Sequence, residues 1–218
     1  NTGGMFYGLA KLSAAGIPTI AVLHGLSTAG GAYQPGMSDY VIGVKKNGMA
    51  ALAGPALLKA ATGEIAKNEE LGGSEMHSRV TGLVEYLADD DDHAIEIVRD
   101  LINKIDWNSK ILKRESIKFQ EPIYDCEEII GVVPIDYKVP YNVRELIARI
   151  VDSSDFMDFK PQYGVSTVCV HTKINGFACG IIGNNGPIDP NGDTKSAQFI
   201  QLCDQSDTPL IFLSNTTG

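Results

Sequence analysis

The chain has little that would let it meet nucleic acid, cross a bilayer or hold a metal through thiolates. Lysine and arginine total 18 against 27 aspartate and glutamate, a net charge of -9. The acidic residues are spread along the chain apart from the run Asp89-Asp90-Asp91-Asp92. Nothing in that balance offers a basic surface for a phosphate backbone, so nucleic acid is not an expected partner. The longest apolar stretches, near residues 17–23 and 210–213, fall far short of the roughly 20 residues that span a bilayer. No membrane segment is expected. The four cysteines, Cys126, Cys169, Cys179 and Cys203, include no C-x-x-C spacing, which argues against a zinc or redox motif, and no metal site is expected. Three of them lie in apolar surroundings and read as reduced thiols, a usage that fits the cytoplasm or an organelle matrix. The opening residues carry no basic region followed by an apolar one, so no secretory signal is visible. The final residues stop just past an expected strand, and the chain reads as a piece of a longer polypeptide. An obvious acid–base dyad is lacking as well.

What is present is an alternation of strand and helix. At 218 residues, 44% hydrophobic and a mean hydropathy of -0.02, the chain has the make-up of one or two soluble globular domains. Periodicity predicts a helix over 5–15 closed by Gly16, a buried strand over 17–23, a short helix over 32–37 and a strand over 40–44. A short apolar run at 49–53 is broken by Gly54-Pro55, and a helix over 56–61 ends at Gly63. Residues 69–77 read as a loop or short helix with the glycine pair Gly72-Gly73. The acidic run at 89–92 caps an amphipathic helix over 93–105. From residue 106 the chain turns polar and proline-bearing, as a linker does. Beyond it come a helix over 142–151 with Asn142 as N-cap, a hairpin of strands 166–173 and 177–183 turned by Asn175-Gly176, a helix over 194–205 and a strand over 210–213. The expected class is α/β, in two incomplete domains.

The most informative stretch is Ser27-Thr28-Ala29-Gly30-Gly31-Ala32-Tyr33, which follows an apolar run with no room for a linker. If a short helix starts at the glycines, their amides are first-turn donors without partners, and the helix dipole adds positive charge there. That is the outline of an oxyanion hole, able to hold a thioester oxygen as it becomes an enolate while glycine lets the carbonyl approach the backbone. The same pair also reads as a strand-to-helix turn that needs glycine for packing.

Both halves, in order, resemble the carboxyltransferase (beta) subunit of biotin-dependent acyl-CoA carboxylases, the group that includes the methylcrotonyl-CoA, propionyl-CoA and geranyl-CoA enzymes. The residues that carry the likeness are Thr28-Ala29-Gly30-Gly31-Ala32-Tyr33 with Pro35, Met37 and Asp39, then Ala53-Gly54-Pro55, Lys59-Ala60-Ala61-Thr62-Gly63-Glu64, and Leu71-Gly72-Gly73 with His77. Further on, Val143-Arg144, Ile147-Ala148-Arg149-Ile150-Val151-Asp152, Tyr163-Gly164, Asn184-Asn185-Gly186, Lys195 and Phe199-Ile200 continue it. The resemblance implies two partial crotonase-like domains, each a ββα superhelix. The first ends at residue 112, the linker covers 113–140, and the second begins at 141.

It also implies the chemistry: carboxyl transfer from carboxybiotin, carried by a partner, to an acyl-CoA thioester of the 3-methylcrotonyl type or a relative of it. Both half-reactions create an oxyanion, so backbone donors suffice and no titrating side chain or metal is required. The catalytic groups it implies are the amides of Gly30 and Gly31. The acyl-CoA-binding candidates are Ala29, Ala32, Tyr33, Lys59, His77 and Arg79; the biotin side is Asn184, Asn185 and Gly186. His77 reads either as a CoA phosphate contact or as a loop-holding imidazole, Lys59 and Arg79 either as phosphate contacts or as solvated charges, and Tyr33 as lining the acyl pocket or packing beneath it. His24 reads as a satisfied core imidazole. Departures from the family pattern are Gln34 and Gly36 beside the glycine pair, and the acidic, proline-rich stretch 187–193. Implied partners are a biotin carboxylase or biotin carboxyl carrier subunit and further copies of the chain, with the active site formed across subunits. Two alternatives stand beside this: a subunit of a biotin-dependent decarboxylase of the glutaconyl-CoA type, and a noncatalytic crotonase-like fragment.

Overall fold

The structure is a computed structural model that describes residues 2–105, 118–136 and 139–215. Part of the expected linker, 106–117, lies outside the described residues. Two compact units divide between Asp100 and Leu101.

The first unit opens with α1 (Thr2–Ala14), which Gly16 closes in a left-handed conformation, φ 70°. β1 (Ile20–Leu23) is shorter than the apolar run predicts, because Pro18 has no amide to give a strand ladder. Next come β2 (Leu26–Thr28), a three-residue 3₁₀ turn at Ala29–Gly31, α2 (Tyr33–Met37), β3 (Tyr40–Val44) and β4 (Met49–Ala51). β3 is buried at all five positions, as its unbroken apolar sequence requires of a central parallel strand. α3 (Pro55–Thr62) starts on proline and stops at Gly63, φ 79°. α4 (Asn68–Gly72) and α5 (Ser74–Met76) lead into a π-helical turn, His77–Thr81, and then β5 (Tyr86–Ala88). α6 (Asp91–Lys104) is capped by Asp90, whose carboxylate accepts the His93 amide at 2.8 Å.

β1, β3 and β5 form one parallel sheet in the order β1-β3-β5, and β2 pairs with β4 in a separate two-stranded parallel sheet. Leu23, Val41, Ala50 and Val84 make the core of the unit, with Ala32, Leu83 and Leu87 packed on it. Asp39 pins the entry: it accepts from Ser13 Oγ at 2.6 Å and from the Thr19 amide and hydroxyl at 2.8 Å each, tying the end of α1 to the strands.

In the second unit the stretch read as linker contains a 3₁₀ turn at Cys126–Glu128 and α7 (Ile129–Val132). Asn142 caps α8 (Val143–Ile147), accepting from the Arg144 amide. This helix ends earlier than periodicity predicts. β6 (Phe156–Phe159), β7 (Thr167–Ile174), β8 (Phe177–Asn184) and β9 (Leu210–Leu213) form one sheet in chain order, antiparallel until β9 joins β8 in parallel. The β7–β8 hairpin turns on Asn175 (φ 52°) and Gly176 (φ 79°), the two left-handed residues that a type I′ turn demands.

Strand alternation then sorts the faces. Val168, Val170, Cys179 and Ile181 pack with Val143, Ile147 and Val151 around α8. Between β8 and β9, α9 (Pro190–Gln205) begins on an Asp189 cap and Pro190. It places Phe199 against His171, ring centroids 4.7 Å apart, and a Cβ on Gly180 would press on Phe199 and Cys203 at 2.9 Å. No helix among the described residues is long and apolar enough to cross a membrane.

Candidate active site

Besides Gly3-Gly4 in α1, the first unit holds two adjacent-glycine pairs that look alike in sequence and differ in space. At Gly72 an added Cβ would lie 2.3 Å from the Ala50 carbonyl oxygen, and at Gly73 it would lie 2.7 Å from that of Glu69. Those glycines are there for close packing. At Gly30 a Cβ would meet nothing within 4 Å, and at Gly31 only Ser27 Cβ at 3.9 Å. Neither residue has a positive φ, and both are exposed. Neither packing nor backbone conformation asks for glycine at 30 and 31. Glycine there leaves the backbone open to close approach.

The turn that carries this pair has no side-chain cap. Thr28, which ends β2, is extended (φ -121°, ψ 158°) and leaves first-turn amides to another acceptor. Ala29 reverses the chain in a left-handed conformation, φ 51°, which costs a residue with a Cβ on the order of 1–2 kcal/mol. Strain of that kind gathers where geometry serves a site. The helix expected behind the glycines is a three-residue turn followed by the five-residue α2, too short for the dipole to contribute much, so individual amides carry the electrostatics.

Next to the turn lies an apolar pocket of about 400 Å³ lined by Ala32, the wall Ala50-Ala51-Leu52-Ala53, and Leu58, Leu71, His77 and Leu83. His77 is 9% exposed. Its Nε2 donates to the Ala50 carbonyl at 2.7 Å; with that proton placed, Nδ1 is the acceptor for the Thr81 hydroxyl at 2.8 Å. Both nitrogens are therefore occupied by protein, and what His77 shows the pocket is ring carbon.

Of the other acyl-CoA candidates, Ala29 is in the turn and Ala32 on the pocket wall. Tyr33 turns elsewhere: it is 49% exposed and meets Phe6 of α1 edge-on at 5.5 Å. Lys59 is exposed on α3, beside Leu58, and Arg79 is exposed in the π-helical turn. His24 is also exposed, 3.8 Å from Asp91, which corrects its reading as a core imidazole: it stands past the end of β1, where the strand leaves the core.

The model of the carboxyl transferase domain family matches residues 1–218. The chain belongs to that family. Its relatives include the probable biotin-dependent acyl-coenzyme A carboxylase beta2 subunit of Mycobacterium tuberculosis, 49% identical over 217 residues, which are 99% of this chain and 41% of the relative. The probable mitochondrial methylcrotonoyl-CoA carboxylase beta chain of Drosophila melanogaster is 44% identical, with 99% of this chain and 40% of the relative covered. Among solved structures, transcarboxylase 12S with hydrolysed methylmalonyl-coenzyme A bound superposes with a TM-score of 0.83 at 33% identity, over 100% of this chain and 44% of that one. The fold is thus of the crotonase-like α/β class, and the chain spans about two fifths of the length of these relatives.

The biotin-side candidates lie in the second unit at the end of β8. Asn184 is 5% exposed; its Nδ2 donates to the carbonyls of Gly186 (2.9 Å) and Asn215 (2.8 Å), and its Oδ1 accepts the Asn215 amide at 2.9 Å. Asn185 Oδ1 accepts the Val143 amide at 2.8 Å, capping α8. Space beside Gly186 is open. Stretch 187–193, read as a loop, supplies the Asp189 cap and the first turn of α9.

Sequence reasoning missed the pocket wall at 50–53, whose small residues gave only a short apolar run. It also missed what Lys195 does. This lysine is 1% exposed on the same face of α9 as Phe199 and Leu202. Its ammonium donates to the carbonyls of Lys160 (3.1 Å), Tyr163 (2.9 Å) and Gly164 (3.3 Å). Burial draws its pKa down to about 8, against the opposing pull of Cys169 and Asp158. A lysine at a core position of an amphipathic helix was the available signal.

Proposed function

We propose that this chain supplies the acyl-CoA side of a carboxyl transfer from carboxybiotin to an acyl-CoA. The observation that carries it is the open backbone at Gly30 and Gly31 beside an apolar pocket. The thioester oxygen lies against the two amides, which hold its charge as the acyl carbon, α or γ to the carbonyl, loses its proton. Removing one donor from such a hole typically costs about 3 kcal/mol of barrier. Ala32, Leu58, Leu71 and the ring of His77 take the acyl chain, and their all-carbon surface selects an uncharged one, of the 3-methylcrotonyl type or a near relative. Lys59 and Arg79, exposed on the flanking helix and turn, are the contacts for the CoA phosphates; Tyr33 supports α2 from the α1 side.

Carboxybiotin, carried on a partner subunit, supplies the carboxyl group, and the acyl proton ends on the biotin. Asn184, Asn185 and Gly186 form the biotin-side turn, the two amide side chains shaping it and Gly186 leaving room. In this reading residues 1–112 and 141–218 are parts of two domains, copies of the chain assemble with the biotin-carrying partner, and the setting is a reducing one, the cytoplasm or the mitochondrial matrix, in keeping with buried thiols at Cys169, Cys179 and Cys203.

The test is ATP-dependent fixation of labelled bicarbonate by the full-length polypeptide with its biotin carboxylase partner, on acetyl-, propionyl-, 3-methylcrotonyl- and geranyl-CoA. Fixation on a branched unsaturated acyl-CoA is expected. No fixation on any of them, with biotin shown to be carboxylated, would overturn the proposal; release of CO2 from a dicarboxylic acyl-CoA in the same preparation would point to the decarboxylase instead.

A further inference from the structure

The motif Leu71-Gly72-Gly73 with His77 has a use that pocket lining does not exhaust. Gly72 and His77 converge on one atom, the carbonyl oxygen of Ala50. A side chain at 72 would collide with that oxygen at 2.3 Å, and His77, five residues later, donates to it at 2.7 Å. The π-helical turn His77–Thr81 brings Thr81 Oγ1 to 2.8 Å from Nδ1 and 3.3 Å from the His77 carbonyl, so the hydroxyl steadies the ring whose Nε2 proton the Ala50 carbonyl accepts. Such i to i+5 turns are rare and recur at functional places.

Ala50 matters because of what β4 holds. β4 pairs with β2, in the register Ser27 to Ala50 and Thr28 to Ala51, and Thr28 is the residue that enters the glycine turn. β2 itself is weakly anchored: Leu26 is 68% exposed and Thr28 is exposed. On its far side β4 is fixed by the Met49 to Gly73 bridge, by the Ser74 amide and hydroxyl on the Gly48 carbonyl, 3.0 Å each, and by His77. Of these three anchors, His77 acts nearest the end of β2, at the residue paired with Ser27.

We infer that His77 is a positioning residue for the glycine turn: by clamping the Ala50 carbonyl it fixes β4, hence β2, and hence the direction of the Gly30 and Gly31 amides. As a statement about catalysis this rests on the proposed carboxyl transfer; as a statement about geometry it does not. A donor displaced by about 1 Å from the developing oxyanion loses on the order of 100-fold in rate while ground-state binding barely changes.

The experiment uses the full-length polypeptide with its biotin-carrying partner and three variants. His77→Phe keeps a ring in the pocket wall and removes the donor. His77→Gln keeps an N–H, and Thr81→Val keeps shape while removing the hydroxyl that steadies the ring. His77→Phe is expected to lower kcat on the order of 100-fold with little change in KM for the acyl-CoA, His77→Gln to recover part of the loss, and Thr81→Val to lower kcat on the order of tenfold. An unchanged kcat, a change in KM alone, or a loss that merely follows the unfolded fraction overturns the inference. If His77→Phe does not fold, Thr81→Val decides by the same criteria. Hydrogen exchange of peptides covering residues 26–37 is read on the same samples, and faster exchange in the variants is expected. Unchanged exchange also overturns it. Should the unsubstituted protein carboxylate no acyl-CoA, the proposed function fails, and the exchange result still decides whether His77 holds the turn.

Discussion

Gly30-Gly31 and Gly72-Gly73 are the same dipeptide in the same unit, and they are glycine for opposite reasons. The second pair is filled from outside: the Ala50 and Glu69 carbonyls stand where its side chains would be. The first pair is empty on the side where a Cβ would project, next to a turn strained at Ala29 and an apolar pocket. Sequence cannot tell a glycine that makes room for the protein from one that makes room for a ligand, because both demand only the absence of Cβ. The surroundings of the missing atom decide, and here the crowded pair also supports the open one, through Ala50 and the β2–β4 pairing.

Substitutions separate the two roles. Gly72→Ala should show the largest effect, about 3 kcal/mol of stability, because backbone rather than a flexible side chain blocks the new methyl; denaturant unfolding reads it. Gly30→Ala should leave stability within about 0.5 kcal/mol, as at any open surface position, yet lower carboxylation on the order of 100-fold by occupying the place of the thioester. Equal losses of stability at 30 and 72 would erase the distinction.

Acid offers a finer test, because it acts on the other unit. His171 is fully buried against Phe199, and burial pushes its pKa from 6.5 down to about 3. Folding keeps this imidazole neutral, so its contribution is complete above pH 6.5 and is lost as the pH falls below that value, by about 2 kcal/mol at pH 5. The loss should be the same in the unsubstituted chain and in Gly72→Ala, since the two residues lie in different units. The smallest effect is Ser74→Ala, about 1 kcal/mol: its hydroxyl leaves the Gly48 carbonyl, which the Ser74 amide still satisfies.

The sequence was most legible where one local signal ruled. Unbroken apolar character bounded β3, Asn175-Gly176 located the hairpin, and Asn142 marked its helix. It was least legible where distant residues decide. Phe156-Met157-Asp158-Phe159 becomes a strand because β7 pairs with it, and its charged residue is held by Arg144, which meets Asp158 through two nitrogens at 2.9–3.1 Å. β5 is shorter still and takes its place from β3. Of the candidate site, the glycine turn and His77 could be singled out from residues in order. The pocket wall, the orientation of Tyr33 toward Phe6 and the Ala50 clamp were not, since each depends on contacts between segments far apart in the chain.

The most direct measurement is a crystal structure of the full-length polypeptide with a non-reactive acyl-CoA analogue. The account places the thioester oxygen at about 2.7–3.1 Å from the amides of Gly30 and Gly31, with the acyl chain among Ala32, Leu58, Leu71 and His77. An acyl-CoA bound with its carbonyl elsewhere, leaving those amides to water, would contradict it.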